Sequence, residues 1–308
     1  MISKKSFFTP SSLNELFAFL KENEGSNKNS PVFVAGATDW TIQQRKNTFP
    51  EDAIFVDLSG VEELKGIVQS TDEIRIGAAA TMTSVSENES VRRLAACLAQ
   101  AASNVGSWQI RNKATLGGNL ANASPAADTP VALAALDATV MLVSSRGNRE
   151  LPVRDVPVGL NATVLEPGEL ITAFRIPLSP VRISAFGKVG SRSQMTIARL
   201  NLAISAVLKE GRVEDARVFA GTLGNAVFRC LSAEKILSSM AVEDFSSLDR
   251  NSDNFGGKFG EFCEALAVAV EKGIPGRSTL PYKQSVIRAL GLDVGAMLIE
   301  GARKEVSK

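Results

Sequence analysis

The stretch Ala114 to Pro130, ATLGGNLANASPAADTP, gathers the groups best suited to hold a phosphate-bearing, sugar-bearing ligand. Gly117 and Gly118 carry no β-carbon, so a turn there can bring bare main chain close to a ligand. Peptide N–H groups in such a turn can face a phosphate oxygen without any charged side chain. Ten residues after Gly118, Asp128 offers a carboxylate suited to sugar hydroxyls. Thr115, Asn119, Asn122 and Ser124 add short polar groups that hold turns and exchange hydrogen bonds. An anion cradle and an acid at this spacing suit a dinucleotide. A helix beginning near Asp128 would make the same carboxylate a helix cap, and both roles can hold together.

A second glycine site lies at Val32 to Trp40, VFVAGATDW. An apolar strand delivers Gly36, and Ala37, Thr38 and Asp39 follow. Small residues there would let backbone N–H groups face a diphosphate, with the Thr38 hydroxyl as a further donor. The segment lacks a G-x-G-x-x-G pattern and the lysine of a P-loop. Alone it reads more simply as a strand ending in a tight turn.

Composition narrows the chemistry. The chain has 308 residues, 44% apolar and 22% charged, long enough for two domains or one domain with sub-lobes. A formal charge of +1 argues against nucleic-acid or membrane-surface binding, which need a basic face. Histidine is absent, which removes His-based triads, zinc–histidine sites and imidazole acid–base catalysis. The 3 cysteines, Cys97, Cys230 and Cys263, are too few for an iron–sulfur cluster, which takes about four thiolates. Each stands among apolar neighbours, where a thiol serves as a small hydrophobe. No signal peptide and no membrane-length apolar run is evident, so a cytoplasmic location is expected.

The elements that must position these residues can be read coarsely. Ser12 and Glu15 form a capping box ahead of an amphipathic helix through Leu20, and the polar run Glu22 to Ser30 reads as a loop. Strands are expected at Pro31–Ala35, Ile54–Leu58, Glu73–Ala78, Thr139–Ser144 and Glu169–Pro177, with turns at Arg146–Asn148 and Pro167–Gly168. One helix is expected over Val91–Ser103 and another over Pro130–Leu136, with the glycine turn between them. Beyond Ile183, strands Ala203–Lys209 and Arg212–Ala220 flank a Glu210–Gly211 hairpin turn. Helices follow at Ala233–Met240, Phe259–Lys272 and Gln284–Lys304, with a loop over Glu243–Lys258. The pattern predicts an α+β protein with lobes at 1–60, 61–180 and 183–308.

The span Gln109 to Pro130, QIRNKATLGGNLANASPAADTP, resembles the flavin-binding signature of the molybdenum hydroxylase flavoproteins, the medium subunits of xanthine dehydrogenase and carbon monoxide dehydrogenase type. The GGN…SPAAD motif is specific to that family. VAGATDW resembles its first FAD loop, and PGELITAFRIP (167–177), AFGKV (185–189) and the hairpin Gly211 to Gly224 are similar as well, so the likeness runs along nearly the whole chain. It implies a two-lobed FAD-binding domain of the PCMH/VAO type followed by a carboxyl-terminal domain of sheet plus helices. By resemblance, Ala35, Gly36, Ala37, Thr38 and Asp39 wrap the FAD diphosphate with main-chain amides. Thr115, Gly117, Gly118 and Asn119 reach the diphosphate and flavin region, and Asp128 holds the adenosine ribose. Ile171 lies near the adenine and Lys188 near the isoalloxazine, though a solvated surface lysine would be the plainer reading of Lys188.

Two departures stand out. Ala37 replaces the second glycine of the usual first loop, so a β-carbon must be accommodated there. At Val105 some relatives place an aromatic on the flavin, and the nearest aromatic here is Trp108. The extra iron–sulfur cluster of the 4-hydroxybenzoyl-CoA reductase branch is ruled out by the cysteine count. The resemblance further implies that flavin does the redox work. Electrons would arrive from an iron–sulfur small subunit and leave to NAD, quinone or oxygen, while a molybdopterin large subunit carries substrate hydroxylation. The alternatives are a free-standing reductase of the UDP-N-acetylenolpyruvoylglucosamine reductase type and a non-catalytic assembly module.

Overall fold

The computed structural model describes residues 6–23, 31–46, 48–49, 53–179, 182–245 and 257–306. Its amino-terminal part comprises β1 (Ser6–Phe8), α1 (Leu13–Glu22), β2 (Val32–Val34), α2 (Thr38–Arg45) and β3 (Ile54–Asp57), the strands forming a parallel sheet in the order β1-β3-β2. Side chains alternate across the central strand, so Phe55 packs with Val34 and Ala53 on one face while Val56 joins Leu16, Leu20 and Leu58 on the other. Ser12 caps α1 by accepting from the Glu15 N–H at 3.2 Å. The Glu15 carboxylate reaches back one residue further than a capping box requires, to the Ser11 N–H at 2.8 Å. Most of the expected polar loop, residues 24–30, lies outside the described residues.

The middle part opens with β4 (Ile67–Gln69) and β5 (Glu73–Gly77). Six helices follow, α3 (Met82–Glu87), α4 (Glu89–Leu94), α5 (Ala96–Ser103), α6 (Trp108–Arg111), α7 (Leu116–Ala121) and α8 (Thr129–Ala135). Strands β6 (Thr139–Ser144), β7 (Gly147–Pro152), β8 (Pro157–Gly159), β9 (Ala162–Thr163) and β10 (Leu170–Pro177) complete it, and an antiparallel sheet runs β4-β5-β10-β6-β7. The carboxyl-terminal part holds β11 (Arg182–Gly190), β12 (Ala198–Lys209), β13 (Arg212–Gly221) and β14 (Phe228–Arg229) in that antiparallel order, with α9 (Leu231–Leu237), α10 (Gly257–Gly273) and α11 (Leu280–Val306). The β12–β13 hairpin turns through Glu210 (φ 50°) and Gly211 (φ 75°), two left-handed residues as a tight primed turn demands. Among the described residues no helix is long and apolar enough to cross a membrane.

One hydrophobic core joins the middle and carboxyl-terminal parts. It runs from Ile74 and Ile76 through the helices to Phe186, Ala203 and Phe219. Helices α5 and α8 lie against β11, β12 and β13. The three thiols belong to the packed interior, and burial pushes each up to about 12.

Several expected elements differ. The single helix over Val91–Ser103 is two helices broken at Ala95 (φ −138°, ψ 48°). A tertiary bond explains the break. The Cys97 N–H at the new helix start donates to Ser184 Oγ of β11 at 3.1 Å, satisfying a group no intrahelical carbonyl can reach. Helices α2 and α3 and strand β11 went unread, because their short segments lack a sustained apolar period. The glycine turn is itself helical, as α7.

Beside β10, Arg149 clasps Glu169 through two bonds of 2.7 Å, and the Glu166 N–H adds a third at 3.0 Å. The Arg149 guanidinium holds the Glu169 carboxyl below the usual carboxylate range, against the opposing push of burial. A depressed folded value means the stabilisation is full above the unfolded pKa of about 4.3 and fades as pH falls through the folded value. Glu169→Gln should therefore be less stable than wild type at pH 7, with the gap narrowing in acid. Parallel denaturant midpoints across that range would remove the pair from the acid response.

Candidate functional site

Gly36 stands where two backbone segments touch. A β-carbon placed there would sit 1.9 Å from the Lys113 carbonyl oxygen, so only glycine lets the loop after β2 lie on the chain leading to Thr115. Ala37 follows in the left-handed region (φ 58°, ψ 8°) and occupies the N-cap of α2 without any side-chain cap bond. The expected departure from the glycine pattern is thus real strain at a residue with a β-carbon. Among the described residues, nothing accepts from the N–H groups of Thr38, Asp39 and Trp40 at the start of this helix. Trp40 also leaves its indole N–H unpartnered. Free donors at a helix N-terminus carry partial positive charge and favour an anion.

The Thr115 segment contributes differently. Thr115 Oγ1 caps α7 by accepting from the Gly118 N–H at 3.1 Å, while Leu116 and Gly117 donate to the carbonyls of Ala80 (3.0 Å) and Ala78 (2.8 Å). Asn119 donates to the Thr115 carbonyl at 3.0 Å. These N–H groups are already engaged, which corrects the expectation of a bare glycine turn offering them to phosphate. Neither glycine has a positive φ. Gly117 is needed for close approach, since a β-carbon would lie 2.7 Å from that of Ala78. At Gly118 the only neighbour a β-carbon would meet is Thr115 Oγ1 at 2.9 Å, leaving the rest of that face bare. Asn122 ties the two segments together by donating to Asp39 Oδ1 at 3.3 Å, and Thr129 Oγ1 donates to Asn119 Oδ1 at 2.7 Å.

The two segments wall one cavity of about 250 Å³, lined by Ala35, Gly36, Ala37, Thr38, Asp39, Thr115, Gly118 and Asn119 among others. An apolar slot of about 100 Å³ shares Phe33, Ala35, Gly118 and Ala121 with it and adds Gly117, Leu58, Leu64, Leu170 and Ile171. A third cavity, of about 390 Å³, opens between α5–α6 and the β11–β12 connection. Its wall includes Lys188, Asn104, Trp108, Arg111 and Met195. Trp108 is 58% exposed there, whereas Val105 packs against the core.

Lys188 is no surface lysine. Its side chain is 5% exposed and its ammonium donates to Asp128 Oδ2 (2.6 Å), the Asn104 carbonyl (2.7 Å) and the Thr196 carbonyl (3.2 Å). Asp128 takes a second bond from Asn201 Nδ2 at 2.8 Å. Asp128 stands at the N-cap position of α8, yet its side chain makes no cap bond. Burial drives its carboxyl above the usual range, with Lys188 and Asn201 pulling the other way. Asp128 lines none of the three cavities, and the structure keeps it behind Lys188. Asn201, fully buried in an apolar strand, was missed in the sequence, although an isolated amide amid ARLNLAIS was a visible signal.

Three unpartnered N–H groups over a cradle that a β-carbon would fill fit a diphosphate, and the adjoining slot fits an apolar ring. The site suits a dinucleotide, and comparison with known proteins makes the chain an FAD-binding oxidoreductase. Residues 3–179 match the FAD binding domain of molybdopterin dehydrogenases, and the chain belongs to that family. It is 33% identical over 205 residues to the xanthine dehydrogenase FAD-binding subunit of Escherichia coli O157:H7, covering 66% of this chain and 70% of the relative. Identity to the nicotinate dehydrogenase FAD-subunit of Eubacterium barkeri is 31% over 236 residues, with 75% and 78% covered. The glyceraldehyde dehydrogenase medium chain of Sulfolobus acidocaldarius is 29% identical over 239 residues, with 78% and 83% covered. A chain of the cyanide-inactivated Cu,Mo-CO dehydrogenase crystal structure shares the fold at a TM-score of 0.81 and 22% identity, over 96% of this chain and 98% of that one.

Two substitutions test the cradle. A left-handed non-glycine residue costs about 1–2 kcal/mol, and glycine returns about 0.4–1 kcal/mol of that through the freer unfolded chain. Ala37→Gly should thus stabilise the protein by about 0.5 kcal/mol, seen as a higher denaturant midpoint at unchanged slope; a lower midpoint would mean the turn is not strained. Gly118→Val should fold but lose bound FAD, because its side chain would stand in the shared wall of two cavities. Full flavin content in that variant would show the wall is not a binding surface.

Proposed function

We propose that this chain is the FAD-bearing electron-transfer subunit of a molybdenum-containing dehydrogenase. It takes electrons from the iron–sulfur clusters of a partner subunit and passes them to an external acceptor such as NAD. The relatives named above are FAD-binding subunits and medium chains, which supports a role within a larger assembly. The observation that carries the reading is a cavity walled by both glycine segments, with free N–H donors on one side and bare glycine on the other.

In this reading the diphosphate lies against the N–H groups of Thr38, Asp39 and Trp40, with Gly118 leaving the room and Gly36 letting the two segments meet. Ile171 and its apolar neighbours take the adenine. Lys188 sets a fixed positive charge beside the ring-bearing half and favours negative charge developing there. FAD, when bound, supplies the redox chemistry, since no residue here is placed as a nucleophile or general base. The chain's own work is to bind, orient and shield.

The two tryptophans make the reading testable, because Trp40 walls the diphosphate cavity and Trp108 the third cavity. FAD should quench both fluorophores, resolved with Trp40→Phe and Trp108→Phe, while ADP should quench Trp40 alone. Purified protein that stays colourless and unquenched in excess FAD would end the proposal.

A further inference from the structure

Resting on that flavin reading, we infer that Asp128 and Asn201 serve the cofactor by positioning Lys188 rather than by touching the cofactor themselves. Lys188 and Asn201 are direct cross-strand partners on β11 and β12, so their side chains stand side by side on one face of the sheet. Asp128 docks between them from the middle part of the chain, one oxygen on each, at 2.6 and 2.8 Å. The Asp128 side chain is 6% exposed, and the residue is absent from the lining of all three cavities. Lys188 does line the third cavity, so it is the member of the trio that faces a ligand.

The remaining bonds point the same way. An ammonium has three protons to give, and Lys188 gives them to Asp128 and to the carbonyls of Asn104 and Thr196. Those carbonyls belong to the α5–α6 and β11–β12 connections, which both line the third cavity, so the ammonium ties the two connections together. Among the described residues Asp128 is its only charged partner, and removing the counter-charge of a buried cation leaves it uncompensated. Asn201 in turn is held hard against Gly221, where a β-carbon would come 2.2 Å from Asn201 Oδ1. The amide is fully buried and also donates to the Ala127 carbonyl at 3.3 Å, so it meets the Asp128 carboxylate from a packed position.

The test uses three probes, FAD, FMN and ADP, titrated into the full chain and into Asp128→Asn, Lys188→Met, their double variant, and the exchange Asp128→Asn with Asn201→Asp. Positioning predicts that Asp128→Asn weakens FAD and FMN about tenfold while ADP changes less than twofold. Lys188→Met should repeat that pattern, and the double variant should be no weaker than either single one. The exchange keeps a carboxylate beside Lys188 and should recover FMN affinity to within about threefold of wild type. A fall in ADP affinity equal to that of FAD in Asp128→Asn, with FMN untouched, would make Asp128 a ribose ligand and overturn the inference. Multiplying losses in the double variant would overturn it too, as would a folded exchange variant that fails to recover FMN. Wild-type protein that binds none of the three probes would instead sink the flavin reading itself.

Discussion

The contact between Gly36 and the Lys113 carbonyl leaves no room for a β-carbon, and the geometry of the binding site depends on it. Two segments almost eighty residues apart in the chain meet there main chain to main chain. That contact fixes the start of α2 over the Thr115 segment, and the start of α2 is where the unpartnered N–H groups are. Ala37, the next residue, sits in the left-handed region, so strain is stored one residue from the donors. The Asn122–Asp39 bond closes the same joint from the other side.

The two glycine segments divide the labour between them. The first supplies donors and a helix dipole, while the second supplies space, its own N–H groups being spent on Ala78, Ala80 and Thr115. Among the described residues no lysine or arginine lines the cavity between them. An anion there would be held by neutral dipoles at short range, and such binding is less sensitive to salt than a patch of exposed cations would be. Cationic side chains, Lys188 and Arg111, line the separate third cavity instead, Lys188 with Asp128 as its counter-ion.

Much of this could be read from residue types. Long apolar strands such as Leu170–Pro177 and Arg212–Gly221 announced themselves, and so did the Glu210–Gly211 turn, because burial and alternation leave a strong local pattern. Both glycine segments were visible as well. What could not be read was which of them kept its N–H groups free, since that depends on Ala78 and Ala80 arriving from β5. The break at Ala95 was hidden for the same reason, its cause being Ser184 on a distant strand. The partners of Asp128 were equally out of reach, because the register between β11 and β12 sets Lys188 beside Asn201. Local sequence reports a segment's tendency, and the hydrogen bonds that override it come from elsewhere in the chain.

The carboxyl-terminal sheet is therefore part of the candidate site, since Lys188 and Thr196 line the third cavity. Phe186, Ala203 and Phe219 lie in the same core as Ile74 and Leu133, so β11–β13 cannot slide without opening apolar surface under α5 and α8. On that rigid base the Thr222 N–H donates to the Pro125 carbonyl at 3.0 Å, and Lys283 of α11 donates to Thr222 Oγ1 at 3.0 Å. Thr222 has a left-handed backbone (φ 61°), a strained geometry kept in place by bonds to three separate segments. The loop carrying Asp128 is thus gripped at Pro125 and again at Asp128 itself, both times from the carboxyl-terminal part. The third cavity therefore lies within one packed unit, whereas the first cavity straddles the joint between the amino-terminal sheet and that unit, so motion at that joint would open the first cavity and leave the third intact.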